Sequence, residues 1–466
     1  MNAGAPVTDP RDPVARLLAL VDGGSLVLAD DPHGCGVRIG CGRIGPVAVT
    51  AFCTDARAKA GALGATAGHR IAEAIDDAVD AGRPVVGLWQ SGGARLDQGV
   101  SSLHGAGSMF RSMTLASGRV PQVSVVLGPS AGAAAYGPAL TDLVVLAEEG
   151  RIFVTGPDVV EAVTGERVDM AQLGGGAVHG RRSGVAHQLA ADEGDAMTQA
   201  RTLVDLLART GRTDPAAAAC GPDCRSLLPD SPRRAYDVRP LVRAVLDGQD
   251  LQEVQAAWAP NVLTGLGRLG GGTVGVVASN PISKGGCLDS TSAEKAARFV
   301  RMCDALGIPL VVVVDVPGYL PGVDEEWGGV VRRGAKLLHA FAAATVPRVT
   351  LITRKAFGGA YIAMNSRSLG ASAVLAWPDA EIAVMGPEAA VEILHRGELA
   401  AAAGPADRER LSRELAERQR RRGGTAGAVE IGVVDDVIDP ALTRPALALA
   451  LAAAPRGRGR HTNIPL

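Results

Sequence analysis

Two short turns of small residues stand where backbone amides could do chemistry. The first reads Ala131-Gly-Ala-Ala134 and the second Gly358-Gly-Ala-Tyr361, and each follows a strand-like run and opens an Ala-rich helix. At a helix N-terminus the first amides lack intrahelical acceptors and carry the positive end of the helix dipole, so they bind an anion or a polarised carbonyl oxygen. Amides aimed at a developing oxyanion can stabilise an enolate. The two turns therefore predict chemistry on carbonyl compounds.

A single turn of this kind is explained as well by tight packing of a helix on a strand, whereas two turns at matched positions favour a role in binding carbonyl oxygens. Other chemistries lack their signatures, because there is no P-loop, no dinucleotide-binding glycine fingerprint, no HExxH and no GxSxG. Ser91 resembles a nucleophile elbow only in part, since Trp89 occupies the position that requires glycine. Cys220 and Cys224 have no second pair downstream, which disfavours a zinc site. We therefore predict no metal and reduced, buried cysteines.

A weak internal duplication organises the chain. Strand-like runs and the turns behind them recur at nearly constant separation, which chance would not hold over several landmarks. Four pairs of residues show this: Pro84 and Pro309 are 225 positions apart, Pro121 and Pro347 226, Gly132 and Gly359 227, and Gly156 and Gly386 230.

Helical periodicity lies between the matching strands, at residues 68–81, 292–306 and 334–344. Strands that alternate with helices predict βα units and an α/β fold. Residues 214–240 show little periodicity and are interpreted as the linker between halves, whereas residues 411–422, dense in Arg and Glu, predict an exposed helix. We place the two domains at residues 1–235 and 236–466.

Composition agrees with two domains and excludes several partners. A chain of 466 residues exceeds what one core usually supports. With 47% hydrophobic but only 3% aromatic residues, the cores must be built from small aliphatic side chains packed around glycine. The net charge of -2 disfavours nucleic acid, and the absence of a leader or a long apolar run predicts a cytoplasmic protein without a membrane segment.

Specific motifs follow one another along the chain at residues 91–99, 136–142, 153–160, 183–187, 292–299, 315–322, 332–336, 376–386 and the terminal 463–466. In this order they resemble the β subunits of acetyl-CoA and propionyl-CoA carboxylases, the biotin-dependent carboxyltransferase family. The resemblance extends from about Cys35 to Leu466.

This resemblance implies two tandem crotonase-like domains with ββα units, the first serving acyl-CoA and the second biotin. It assigns the thioester oxygen to the amides of Gly132 and Ala133, and the biotin ureido oxygen to those of Gly359 and Ala360. It also implies a set of substrate-lining residues: Ser91, Gly92, Gly93, Ala94, Arg95 and Tyr136 on the CoA side, and Gly318, Tyr319 and Tyr361 on the biotin side.

Ile362 follows the second turn at a position that borders the acyl pocket in the resembled family, where propionyl-preferring relatives tend to carry Asp. The alternative is an ordinary core residue. Arg95 and Lys336 could meet CoA phosphates, although solvated positions or ion pairs are equal alternatives.

No biotinylation signature of the Met-Lys-Met kind is present, so the biotin is expected on a separate biotinylated α subunit. The resemblance further implies a dimer, commonly within a hexamer, and malonyl-CoA as the product formed from acetyl-CoA, with propionyl-CoA a second substrate. Two other functions stay open: a carboxyltransferase of a decarboxylase running in reverse, and a catalytically idle assembly subunit.

Overall fold

The computed structural model describes residues 9–31, 34–231, 234–422 and 424–465, which form two compact units. The first unit holds residues up to Arg209 together with Val254–Trp258 and Arg460–Pro465. The second holds Thr210–Glu253 and Ala259–Gly459. The domain division that the sequence places at residues 235/236 stays a prediction.

The first unit is built on an eight-stranded sheet with the order β1-β2-β3-β4-β5-β6-β8, and β7 pairs with β5 beyond the end of β6. The β2/β3 hairpin is antiparallel, and every pairing from β3 onward is parallel. The strands are β1 (Val27–Leu28), β2 (Val37–Ile44), β3 (Val47–Thr54), β4 (Val85–Ser91), β5 (Gln122–Ala131), β6 (Leu143–Leu146), β7 (Arg151–Phe153) and β8 (Gln188–Leu189).

Helices cover this sheet, and glycine sets how closely they approach one another. A side-chain carbon at Gly68 on α2 would lie 2.4 Å from the backbone of Gly105 on α3, so the two helices touch backbone to backbone. Helices in such close contact leave no space for aromatic side chains between them. The helices are α1 (Pro13–Leu20), α2 (Ala65–Asp80), α3 (Val100–Ala116), α4 (Ala133–Ala139), α5 (Pro157–Thr164), α6 (Met170–Gly174), α7 (Gly176–Val178) and α8 (Glu193–Ala208).

The second unit repeats the arrangement with the sheet order β16-β14-β13-β12-β11-β10-β9, and β15 pairs with β13. Its strands are β9 (Gln252–Val254), β10 (Val262–Leu269), β11 (Gly272–Ser279), β12 (Leu310–Val316), β13 (Arg348–Phe357), β14 (Ala373–Ala376), β15 (Glu381–Ala383) and β16 (Asp436–Val437). Its helices are α9 (Arg239–Val245), α10 (Ser290–Leu306), α11 (Val323–Trp327), α12 (Val330–Ala343), α13 (Gly358–Ala363), α14 (Pro387–Leu394), α15 (Arg396–Ala400), α16 (Pro405–Arg422), α17 (Thr425–Glu430) and α18 (Thr443–Ala453).

The two sheets confirm the internal duplication strand by strand. The antiparallel hairpin β2/β3 corresponds to β10/β11, and the short strand β7 beside β5 corresponds to β15 beside β13. The three helices expected from periodicity are present as α2, α10 and α12, and each begins two to four residues earlier than the pattern indicates. Capping explains the early start of α10, because the carboxylate of Asp289 accepts the amide of Ser292 while the Ser292 hydroxyl accepts the amide of Asp289. The helix predicted at residues 411–422 lies within α16.

The interpretation of residues 214–240 as a linker was wrong. Ala218, Cys224, Tyr236 and Val238 are buried in the core of the second unit, together with side chains of its sheet. Individual apolar residues anchor this segment without any repeat, which is why periodicity could not detect it.

The chain's terminal motif packs on the first unit. The Asn463 amide donates to the Ser117 hydroxyl at 2.8 Å, and its side-chain amide donates to the Asp142 carboxylate at 3.0 Å. Leu466, the last residue of the motif, lies outside the described residues.

Within the described part of the chain, all seven cysteines are free and no three His, Cys, Asp or Glu side chains are grouped so as to hold a metal. The prediction that the cysteines are buried was wrong for Cys220, which is exposed, and Cys41 and Cys287 are only half-buried. None of the helices in that part has the length and apolar character needed to cross a membrane.

Candidate active site

The first small-residue turn, residues 131–134, joins β5 to the N-terminus of α4 and is called the first entrance. Gly132 joins them with φ 54° and ψ -121°, a conformation that favours glycine. Its own amide donates to the Phe153 carbonyl at 3.2 Å and is therefore occupied. The next two amides, of Ala133 and Ala134, are the first of α4 and have no acceptor within the described residues. The free pair is thus shifted by one residue from the predicted Gly132 and Ala133.

The second small-residue turn, residues 358–361, follows β13 at the N-terminus of α13 and is called the second entrance. Gly358 takes the left-handed conformation here, with φ 61°, and a side-chain carbon on it would meet the Val384 carbonyl at 3.0 Å. The amides of Gly359 and Ala360 follow in the first turn of α13 and likewise have no acceptor in the described structure. No atom lies within 4 Å of where a side chain on Gly359 would begin, so the approach to these amides is open.

Strand register fixes which residues of the two entrances correspond. Ala131 pairs with Phe153 in the first unit, and Phe357 pairs with Ala383 at the same place in the second. Gly132 is therefore equivalent to Gly358, and the predicted pairing of Gly132 with Gly359 was wrong by one position. The left-handed residue is the glycine before each free pair.

Ala133 is consequently equivalent to Gly359. Since the left-handed residue at the first entrance is Gly132, Ala133 does not need positive φ and its methyl group is tolerated.

The predicted CoA-side turn abuts the first entrance. Gly93 adopts φ 96°, and a side-chain carbon there would lie 2.8 Å from the Ala131 carbonyl. The Ser91 hydroxyl is buried and accepts the Gly93 amide at 3.3 Å, so it shapes the turn and is not exposed as a nucleophile. Ala94 forms an isolated β-bridge with Leu63. The Gly92 amide donates to the Ala60 carbonyl at 2.9 Å.

Arg95 is half-buried, and backbone carbonyls hold its guanidinium. Its guanidinium donates to the Ala62 carbonyl at 3.1 Å and to the Cys35 carbonyl at 3.4 Å. The alternative of an ion pair is realised for Lys336, which bonds to the Glu294 carboxylate that also accepts from Arg333 at 3.3 Å.

On the predicted biotin side, Gly318 has φ 147° and open space around its α-carbon. Tyr319 bridges to Leu288, and its hydroxyl lies against Gly334, where a side-chain carbon would come within 2.9 Å of it. Burial raises the pKa of Tyr319 to about 12, so the phenol is protonated at neutral pH. The hydroxyl of Tyr361, on α13, is buried without a hydrogen-bond partner among the described residues, and burial raises its pKa as well.

The side chains that follow the two entrances are exposed. Ile362 is 44% exposed, which disfavours its alternative interpretation as a core residue. Its equivalent in the first unit is Tyr136, 50% exposed, whose ring meets Phe110 edge-on at 6.4 Å. Both side chains stand one helical turn past their free amides.

One feature of the site has no signal in the sequence pattern. Residues 59–61, beside the CoA-side turn, are all left-handed, and residues 284–286 repeat this in the second unit. The three residues of each run read Lys-Ala-Gly and Lys-Gly-Gly, and neither periodicity nor motif predicts left-handed lysines.

Comparisons with known proteins agree on one family. The carboxyl transferase domain model matches residues 24–462. The biotin-dependent acetyl-/propionyl-coenzyme A carboxylase beta6 subunit of Mycobacterium tuberculosis is 59% identical over 461 residues, covering 98% of this chain and 97% of the relative. The propionyl-CoA carboxylase beta chain of Rhodococcus erythropolis is 53% identical, with coverage of 98% and 97%.

A solved structure of transcarboxylase 12S, a hexamer with methylmalonyl-coenzyme A and methylmalonic acid bound, superposes with a TM-score of 0.90 at 38% identity, covering 97% of this chain and 92% of that one. The α/β architecture with two mainly parallel sheets is thus the crotonase-like carboxyltransferase fold expected from the resemblance. The chain belongs to the carboxyl transferase family, as a carboxyltransferase β subunit of the biotin-dependent acyl-CoA carboxylases.

Proposed function

We propose that this chain transfers the carboxyl group of carboxybiotin, carried on a partner subunit, to the α-carbon of acetyl-CoA and propionyl-CoA. The observation that carries the proposal is the pair of free amides at equivalent positions of the two units, Ala133 with Ala134 and Gly359 with Ala360. Relatives named as acetyl-/propionyl-CoA and propionyl-CoA carboxylase subunits support this substrate class.

In the proposed mechanism the first entrance binds the thioester carbonyl oxygen and stabilises the enolate that forms when the α-proton leaves. Two amides aimed at the oxygen before the reaction begins lower the barrier electrostatically. The α-carbon of the enolate then forms the new bond to carbon dioxide. The thioester carbonyl is restored, and the negative charge moves from the enolate oxygen to the new carboxylate.

The second entrance is proposed to hold the ureido oxygen of biotin. Two free amides and the open space at Gly359 fit an acceptor oxygen that must approach the backbone closely. When bound, carboxybiotin supplies carbon dioxide and a basic ureido nitrogen for the α-proton. The chain's part is to bind and orient both reactants, and no protein nucleophile is needed, in keeping with the buried Ser91 hydroxyl.

We also propose that two copies of the chain assemble as a dimer, in which the first unit of one copy and the second unit of the other form one active site, as the family resemblance implies. Such dimers are proposed to associate as a hexamer like that of the 12S relative. Apolar side chains stand exposed beside each entrance at equivalent positions, Val154 at 57% and Val384 at 83%. Exposed apolar surface in a repeated position favours contact with another copy. A cytoplasmic location and a role in supplying malonyl-CoA for fatty acid biosynthesis stay predictions.

Reconstitution with a biotinylated α subunit tests the function. We expect ATP-dependent carboxylation of both acetyl-CoA and propionyl-CoA, and less with butyryl-CoA. Binding of the biotinylated subunit without turnover of any acyl-CoA would contradict the proposal and favour an assembly subunit.

Substrate preference is expected to depend on Ile362. Replacing it with Asp should shift the ratio of kcat/KM towards propionyl-CoA by about 5- to 160-fold, the range of pocket discrimination worth about 1 to 3 kcal/mol. Ile362→Val keeps an apolar side chain and should keep the preference. An unchanged ratio in Ile362→Asp, measured in the same reconstituted assay, would refute the assignment of Ile362 to the acyl pocket.

A further inference from the structure

A strained lysine stands beside the CoA-side turn. Lys59, Ala60 and Gly61 have φ of 50°, 51° and 73°. Each left-handed residue other than glycine costs about 1 to 2 kcal/mol, so a Lys-Ala pair in this conformation is kept only where the surroundings impose it. The equivalent residues 284–286 have φ of 50°, 64° and 78°, and there the two residues after lysine are both glycine.

The surroundings that impose this conformation are the substrate turn itself. The Gly92 amide donates to the Ala60 carbonyl at 2.9 Å, and the Leu63 amide donates to the Gly93 carbonyl at 2.7 Å. A side-chain carbon at Gly61 would lie 2.1 Å from the Gln90 carbonyl, so only glycine fits. The strained run and the turn therefore form one hydrogen-bonded piece, and the position of Lys59 is fixed relative to the first entrance.

Lys59 differs from the neighbouring cations in how its charge is held. The Arg95 guanidinium is bound by two backbone carbonyls, and Arg57 is bound by the carboxylates of Asp55 and Asp12. The Lys59 ammonium pairs with Asp97, and these two side chains are 56% and 53% exposed. An exposed pair of this kind contributes only about 0 to 1 kcal/mol. The ammonium can therefore exchange this carboxylate for another anion at little cost.

We infer that Lys59 binds a phosphate group of the coenzyme A moiety of the substrate, leaving Asp97 when acyl-CoA enters. The inference rests on the proposed acyl-CoA carboxylation and supplies a phosphate contact from a cation that is not held by backbone carbonyls, as Arg95 is. Phosphate suits an ammonium better than the existing partner does, because it carries more charge and more acceptor oxygens. Asp97 keeps the lysine in place while the site is empty.

The test compares two thioesters in the reconstituted carboxylase: acetyl-CoA, and acetyl-pantetheine, which lacks every phosphate. In Lys59→Gln we expect KM for acetyl-CoA to rise about three- to tenfold, while KM for acetyl-pantetheine and both kcat values stay as in the wild type. Lys59→Arg should preserve KM for acetyl-CoA, and Asp97→Asn should lower it because the competing carboxylate is gone. Arg111→Gln, which removes an exposed charge from α3 of the same unit, is the control for net charge and should change neither KM.

Two outcomes overturn the inference. If Lys59→Gln changes KM for both thioesters equally, the lysine shapes the turn and does not contact phosphate. If it changes neither while the wild type turns over normally, the lysine is a surface residue, and the proposed function stands without this contact. A wild-type enzyme that carboxylates neither thioester would overturn the proposed function and the inference together.

Discussion

Replacing Ala133 or Gly359 with proline is expected to lower kcat by roughly 10²- to 10³-fold, the loss typical of one oxyanion donor. Proline lacks the amide hydrogen, and it is accepted in the first turn of a helix because the amides there have no intrahelical acceptor. The two positions are equivalent in strand register. Each substitution should therefore remove one free amide and leave its helix intact. Steady-state kinetics of the reconstituted enzyme, with circular dichroism to verify folding, measure the effect.

The chain offers a matched control at each position. Ala133→Gly and Gly359→Ala exchange the residues of the two entrances while keeping both amides, and nothing within 4 Å obstructs a methyl group at Gly359. Both variants should stay within about threefold of wild-type kcat, since their change in barrier is under 1 kcal/mol. Full activity in the two proline variants would show that these amides do not stabilise the transition state.

The free energy of unfolding of the second unit is expected to rise by about 3 kcal/mol between about pH 7 and pH 9.5 because of one buried group. Lys295, on α10, is fully buried, and its ammonium donates to the Val262 carbonyl at 2.8 Å. Burial lowers the pKa of Lys295 from 10.5 to about 7, although the carboxylate of Glu253 opposes this. The Arg239 charge lowers it further.

The sign follows from proton binding in the two states. Below pH 7 Lys295 is protonated in both the folded and the unfolded chain, so the cost of burying its charge is present in full. Between about pH 7 and 10.5 the folded protein has released a proton that the unfolded chain still binds, and stability rises with pH. Urea unfolding at a series of pH values measures this rise. Lys295→Met cannot titrate, so the difference in unfolding free energy between wild type and variant isolates the contribution. Equal pH slopes in the two proteins would contradict it.

The fold could be predicted from the sequence because buried strands and accessible helix N-termini both restrict which residue types can occur. Buried strands such as residues 85–91 and 310–316 read as apolar runs, and the turns behind them must be small where a helix N-terminus has to stay accessible. The recurrence of these runs at nearly constant separation indicates the duplication.

The one-residue error at the entrances came from matching glycines by residue type. The second turn has two adjacent glycines and the first has one, so Gly132 can be aligned with either Gly358 or Gly359. Only the backbone conformation shows that Gly132 and Gly358 are the left-handed residues of the two turns. Backbone conformation also governs Lys59, which no pattern predicts because lysine rarely adopts positive φ. For Arg95 the sequence left a phosphate contact, a solvated position and an ion pair as equal alternatives, and the carbonyls that bind it are brought together only by tertiary folding.

Complementation between the two proline variants tests most directly whether one entrance from each of two copies forms a single site. In a mixed dimer of Ala133→Pro with Gly359→Pro, one site carries both defects and the other carries neither. Random pairing on co-expression should then restore about a quarter of wild-type activity, because half of the dimers are mixed and one of their two sites is intact. Mixed preparations that stay as inactive as either parent would contradict the account.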